Sequence, residues 1–173
     1  MRNSSGKSLA LPEVVCDTST LQYLHQLGLL HILPALAGHI VIPPAVLHEI
    51  EEGQSRGIDL PEVNMLAWLV VRSPAAITML PFEHDLGPGE TEVLMLAGEI
   101  GDVVAVLDDG LARREAERRG IPVIGTLGLL VNAKRAGLVS SVKEQIDRLQ
   151  EKRFRVSPLT RAAVLKLAEE GDE

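Results

Sequence analysis

The chain has 173 residues, 46% of them hydrophobic, and a formal net charge of −7. That length suits one domain with a sizeable core, and the apolar share argues against a disordered chain. The acidic balance argues against a protein that coats nucleic acid through a broad basic surface. Tyr23, Trp68, Phe82 and Phe154 are the only aromatic residues, so an aliphatic core is expected, and a surface that stacks bases on several exposed rings is not. Cys16 is the single cysteine, which leaves no disulfide framework and points to a reducing cytoplasm. Residues 1–10 hold no apolar core long enough for a signal peptide, and no stretch reaches the length of a membrane span. A soluble cytoplasmic protein with no membrane partner is expected.

Residues 1–12 are polar and Ser-rich and read as a loose N-terminal segment. Val14–Asp17 forms a first strand that leads into Thr18-Ser19-Thr20, a capping sequence for a helix with Leu21, Leu24 and Leu27 on one face, stopped by Gly28. A short second helix spans Leu29–Leu36, and His39–Ile42 is a second strand. Pro43-Pro44 opens a helix through Glu52 that Gly53 closes. Residues 54–61 read as a loop and Ala67–Val71 as a third strand. Residues 73–89 carry Pro74, Pro81 and Pro88 and suit no long element. A helix from Gly87-Pro88-Gly89 to about Glu99 precedes the strand Val103–Leu107. A helix over 111–119, a strand over 121–124 and a helix from Thr126 to about Ala136 follow. Helices near Val142–Lys152 and Pro158–Glu170 finish the chain. Strands alternating with helices indicate an α/β fold with a doubly wound parallel sheet.

Val103–Leu107 is an uninterrupted apolar run, as expected of a strand buried on both faces, and Asp108-Asp109 follows where it would emerge. Val14-Val15-Cys16-Asp17 has the same form. Two such strands delivering Asp at their carboxyl ends suggest an acidic site on that edge of the sheet, where open α/β folds bind ligands. Glu49 lies beside the apolar face of the Pro43-Pro44 helix, and Glu90 and Glu92 occupy the first turn of the Pro88 helix. Carboxylates of this kind suit Mg²⁺ or Mn²⁺ and metal-assisted phosphodiester hydrolysis. Taken singly, each acid also fits a helix cap or a solvated charge.

The order of these segments resembles the PIN-domain nucleases, whose best-known prokaryotic members are the VapC toxins. The likeness is closer to a branch of uncharacterised prokaryotic PIN-like proteins. It rests on Val14-Val15-Cys16-Asp17-Thr18-Ser19, Ile42 through Ile50, Gly87-Pro88-Gly89-Glu90-Thr91-Glu92-Val93, Val106-Leu107-Asp108-Asp109 through Arg113, and most distinctively Ile124-Gly125-Thr126-Leu127-Gly128-Leu129-Leu130. The resemblance implies a three-layer α/β/α sandwich with a central parallel sheet over residues 13–140, and extra C-terminal helices over 141–173 packed on the same domain. It further implies a metal-dependent endoribonuclease, including the toxin of a toxin–antitoxin pair, with RNA as substrate, an antitoxin protein as partner and a homodimer as assembly. Carried over position by position, the resemblance implies Asp17, Glu49, Glu92 and Asp109 as catalytic acids and metal ligands, with Glu90 as the neighbour that substitutes for Glu92 and Asp108 as the alternative to Asp109 under a second alignment one residue apart. Thr18 or Ser19 would hold a metal-bound water or the scissile phosphate. The third acid is usually Asp in the common toxins and is Glu here.

Arg113 lies one turn after Asp109 and is the basic residue best placed to hold an RNA phosphate. The neighbouring Arg114, Arg118 and Arg119 read as a solvated helix face, and Lys152, Arg153 and Arg155 as surface. Cys16, inside a strand, reads as a buried apolar residue. Two other functions compete with the nuclease. One is a non-catalytic PIN-like module that binds RNA or protein. The other is a phosphotransfer enzyme with Asp17 as nucleophile, which lacks the usual second Asp because position 19 is Ser.

Overall fold

The computed structural model describes residues 11–75, 81–82 and 85–171. Parts of the N-terminal segment and of the Pro-rich stretch, residues 1–10, 76–80 and 83–84, lie outside the described residues, as do 172–173. Among the described residues the elements run β1 (Glu13–Cys16), α1 (Thr18–Leu27), α2 (Ile32–Leu36), β2 (Ile40–Ile42), α3 (Pro44–Ser55) and β3 (Leu69–Val71). They continue with α4 (Pro88–Ile100), β4 (Val103–Val106), α5 (Gly110–Arg118), β5 (Val123–Ile124), α6 (Thr126–Arg135), α7 (Val142–Glu151) and α8 (Pro158–Leu167).

The five strands form one sheet in the order β3-β2-β1-β4-β5, and every pairing is parallel. Val14, Val15, Cys16, Val103, Ala105 and Val106 are buried, as a central strand covered on both faces requires. β1 lies against β4 with Cys16 opposite Val106. The chain winds outward from β1 through β2 to β3, then restarts at β4 on the other side. The switch point therefore falls between β1 and β4, and the crevice beyond their carboxyl ends is the place such a fold offers a ligand.

Helices flank the sheet. α4 packs on β1 and β4 and is joined by α3 and α5, whereas α1, α6, α7 and α8 pack with one another. The architecture is the expected α/β sandwich with an all-parallel centre. The core is aliphatic, built from such side chains as Leu21, Leu24, Ile40, Ile42, Leu94, Leu107, Leu129 and Leu130. No helix among the described residues is long and apolar enough to cross a membrane.

Polar contacts among the described residues bind the last helices to the rest. Arg148 donates from Nη2 to the Leu27 carbonyl at 3.1 Å. Glu170 accepts from Lys134 Nζ at 2.6 Å and from the backbone N–H groups of Val142 and Lys143 at 2.6 and 2.8 Å, capping α7. Desolvation pushes the Glu170 carboxyl up, but these donors and the Lys134 charge outweigh it and hold the pKa at about 2.

Gly53 does not close its helix. α3 continues to Ser55, and Gly53 is buried where an added Cβ would lie 2.5 Å from Leu60 Cδ1. The residue is small so that Leu60 can pack on the helix, and the chain leaves the helix through Arg56 and Gly57, the latter at φ +81°. The outer strands β3 and β5 are shorter than the sequence pattern suggests, as edge strands with one hydrogen-bonding neighbour often are.

Candidate active site at the carboxyl ends of β1 and β4

β1 ends at Cys16, and Asp17 becomes the N-cap of α1, its carboxylate accepting from the Thr20 N–H at 3.1 Å. A cap at this point satisfies a helix donor and at the same time fixes the carboxylate above the strand end. Asp17 is only 4% exposed. Cys16 behind it is fully buried, and its thiol is pushed up by burial and by the charges of Asp17 and Asp108.

Asp108 comes from the neighbouring strand, just past the end of β4. Its Oδ1 accepts from the Thr126 N–H at 2.8 Å, and its Oδ2 accepts from the Thr126 hydroxyl at 2.6 Å and the Thr20 hydroxyl at 3.2 Å. Ser19 Oγ stands between the two Asp residues, 3.2 Å from Asp17 Oδ2 and 3.5 Å from Asp108 Oδ2. Asp109 points elsewhere: it is the exposed N-cap of α5 and accepts from the N–H groups of Leu111 and Ala112 at 2.9 and 3.0 Å.

The acids of α3 and α4 also take separate partners. Glu49 accepts from the Thr18 hydroxyl and from the Gly89 N–H, the latter at 2.9 Å. A Cβ at position 89 would lie 2.5 Å from Glu49 Oε2, so the glycine is what lets the carboxylate reach the α4 backbone. Glu90 folds back on the Gly87 N–H at 2.9 Å, the half of a capping box that a glycine N-cap allows. Glu92 reaches to the start of α3 and accepts from the Ala45 N–H at 2.8 Å, supplying the cap that Pro43 cannot.

A cavity of about 190 Å³ is lined by Asp17, Thr18, Ser19, Gln22, Glu49 and Glu90. The structure thus gathers Asp17, Glu49 and Glu90 with the two hydroxyl residues, and sets Asp108 behind Ser19. Asp109 stands nearer the Glu90 side, close enough for its charge to raise the Glu90 pKa. Arg113 donates from Nη1 to the Leu107 carbonyl at 3.1 Å. Gly125 keeps room for it beside Asp108, since a Cβ there would lie 2.8 Å from Arg113 Nη1 and 3.0 Å from Asp108 Oδ1. Gln22, Thr20 and Thr126 do not stand out as site residues in the sequence. Thr20 and Thr126 carry a signal there only as residues at helix starts, Thr20 in the Thr18-Ser19-Thr20 capping sequence and Thr126 after Gly125.

Charge crowding follows from this packing. Asp17 has a pKa raised to about 7, first by desolvation and then by the charge of Asp108, with the Thr20 and Ser19 hydrogen bonds pulling the other way. Glu90 is also raised, chiefly by desolvation, against the stabilising Gly87 N–H and with added repulsion from Asp109 and Glu49. Among the described residues no group of three or more His, Cys, Asp and Glu side chains is arranged to hold a metal ion. The donor set nevertheless suits a hard cation, because Mg²⁺ is commonly held by one or two carboxylates with water and substrate completing its shell. Asp17 and Asp108, joined through Ser19, supply such a pair.

A parallel sheet with paired carboxylates at its switch point is the architecture expected of a PIN-type α/β domain, and the comparisons with known proteins identify it as one. The PIN domain family (DUF3368) is matched over residues 13–170, and the chain belongs to it. PIN domains are in general nucleases that use divalent metals, so the fold is of nuclease type. Among solved structures the chain is similar to a PilT N-terminus domain protein, SSO1118, from the hyperthermophilic archaeon Sulfolobus solfataricus P2. The likeness has 19% identity and a TM-score of 0.52 and covers 70% of this chain and 92% of that one, a similarity of fold. Among curated proteins, none matches the sequence.

Proposed function

We propose that the chain is a metal-dependent endoribonuclease that hydrolyses RNA phosphodiester bonds at the Asp17–Asp108 cluster. The observation that carries this reading is the buried Asp17 carboxylate facing Asp108, with its pKa raised to about 7. Two acids crowded together at the ligand-binding edge of the sheet are an arrangement that a divalent cation offsets. Mg²⁺ or Mn²⁺ bound there would supply Lewis acidity for the phosphodiester and an activated water.

The chain's own groups have distinct parts. Asp17 and Asp108 would hold the cation, with Ser19 donating its one hydroxyl proton to Asp17 and with Thr126 and Thr20 orienting Asp108. Glu49, braced by Thr18 and Gly89, and Glu90 face the same cavity and accept protons or order water there. Arg113, beside Asp108, takes a phosphate oxygen of the RNA. Glu92 and Asp109 support this site through the helix starts they cap. The likeness to VapC toxins extends the proposal to a cytoplasmic homodimer paired with an antitoxin protein.

One observation favours a second reading, a non-catalytic PIN-like module that binds RNA or protein. Both oxygens of Glu49 and both of Asp108 already accept hydrogen bonds from the protein. Calorimetric titration with Mn²⁺, paired with cleavage of a mixed RNA pool, separates the two. Binding and cleavage that both vanish in Asp17→Asn support the nuclease. RNA binding with no Mn²⁺-dependent cleavage by the wild type supports the module.

A further inference from the structure

A second cavity, of about 470 Å³, opens on the other side of Asp108. That volume falls in the range of roughly 300–1,000 Å³ typical of ligand pockets. Asp108, Arg113 and Leu127 line it from the domain core, and Phe154, Arg155 and Thr160 line it from the α7–α8 region. Arg113 and Arg155, far apart in sequence, are thus brought to one cavity.

Arg155 is exposed, and among the described residues no hydrogen bond or ion pair engages it. Arg113 uses Nη1 toward Leu107, which leaves the rest of its donor fork available. Thr160 Oγ1 accepts from Ser157 Oγ at 2.8 Å, so its own proton remains to be donated. Two guanidinium groups and a hydroxyl match phosphate oxygens. Leu127 and Phe154 add an apolar wall of the kind a base can lie against. In a chain of net charge −7, these cations mark where a polyanion can approach the acidic cluster.

We propose that this cavity holds the nucleotide next to the scissile phosphate of a single-stranded RNA. Its phosphate sits on Arg113 and Arg155, and its base lies against Leu127 and Phe154. The inference rests on the nuclease reading for its substrate and assigns the α7–α8 connection a part in binding it.

The test is fluorescence anisotropy of the full chain with a labelled 2′-O-methyl oligoribonucleotide in EDTA, which withholds the cation that metal-assisted hydrolysis needs. Wild type, Arg155→Gln and Arg153→Gln are compared across a salt series. The two variants lose the same charge two residues apart, and Arg153 is exposed and does not line the cavity. Arg155→Gln is expected to weaken binding about five- to tenfold and to lower the salt slope by about one, with Arg153→Gln within about twofold of wild type. Equal affinities for the two variants, or no binding by the wild type, overturn the inference. Cleavage of the matching unmodified RNA is read in parallel. Cleavage with equal variant affinities sinks this subsite alone, whereas binding that depends on Arg155 without cleavage sinks the nuclease reading and leaves the cavity as an RNA-binding site with no scissile phosphate beside it.

Discussion

Thr126 donates twice to Asp108, from its hydroxyl at 2.6 Å and from its backbone N–H at 2.8 Å. One residue at the start of α6 therefore fixes both oxygens of a carboxylate that follows β4. Thr126→Val keeps the shape and the N–H but removes the hydroxyl donor. A loss of about 1–3 kcal/mol in stability is expected from the weakened partner of a charged acceptor. Urea unfolding checks it, and a variant as stable as wild type would show that the hydroxyl bond is not needed.

Asp17→Asn should stabilise the cation-free protein at pH 8. The folded pKa of Asp17 is raised to about 7 from an ordinary 3.8, so the folded state holds its proton more tightly than the unfolded state. The associated stability is fully present below the unfolded value and is lost as pH rises through about 7. Asparagine keeps the cap on Thr20 without the charge. A gain of at least about 1 kcal/mol, or about 2–4 °C in Tm, is expected in EDTA. Added Mn²⁺ should raise the Tm of the wild type only.

Gly89→Ala separates stability from function. Alanine suits a helix better than glycine by roughly 0.5–1 kcal/mol, yet its Cβ would lie 2.5 Å from Glu49 Oε2. The carboxylate must shift away from the Gly89 N–H. RNA cleavage is expected to fall at least about tenfold with the fold retained, as circular dichroism would report. Unchanged cleavage would mean that the position of Glu49 is not critical.

Glu170 supplies the acid-side pH dependence. Its folded pKa of about 2 lies below the ordinary 4.5, so its contribution is present above about 4.5 and is lost as pH falls toward 2. Glu170→Gln should lower Tm at pH 7 and flatten the decline of Tm across that window. A parallel decline in variant and wild type would remove Glu170 from the account.

The strand ends and the order of the acids are legible in the sequence because apolar runs followed by Asp are local patterns. The choice between Asp108 and Asp109 is not. It depends on where β4 stops and on Thr126, which arrives from α6. Glu90 and Glu92 pose the same difficulty, since Glu92 is directed by the Ala45 N–H of another helix. Arg155 reads as surface among its basic neighbours, and only the packing of α7 and α8 sets it at one cavity with Arg113. Gly53 reads as a stop because its real constraint, Leu60, lies in the following loop.

The pairing of Cys16 with Val106 gives the two acids a fixed gauge. Parallel strands sit about 4.7–4.9 Å apart, and their register can change only in whole residues, each of which turns a side chain to the opposite face. Asp17 and Asp108 leave the paired strands within two residues of the Cys16–Val106 pair, so the strand register sets the spacing of the backbone that carries them. Loops around them can lengthen or change sequence while the spacing stays constant, which makes this pair a rigid template on which surrounding surfaces can be varied.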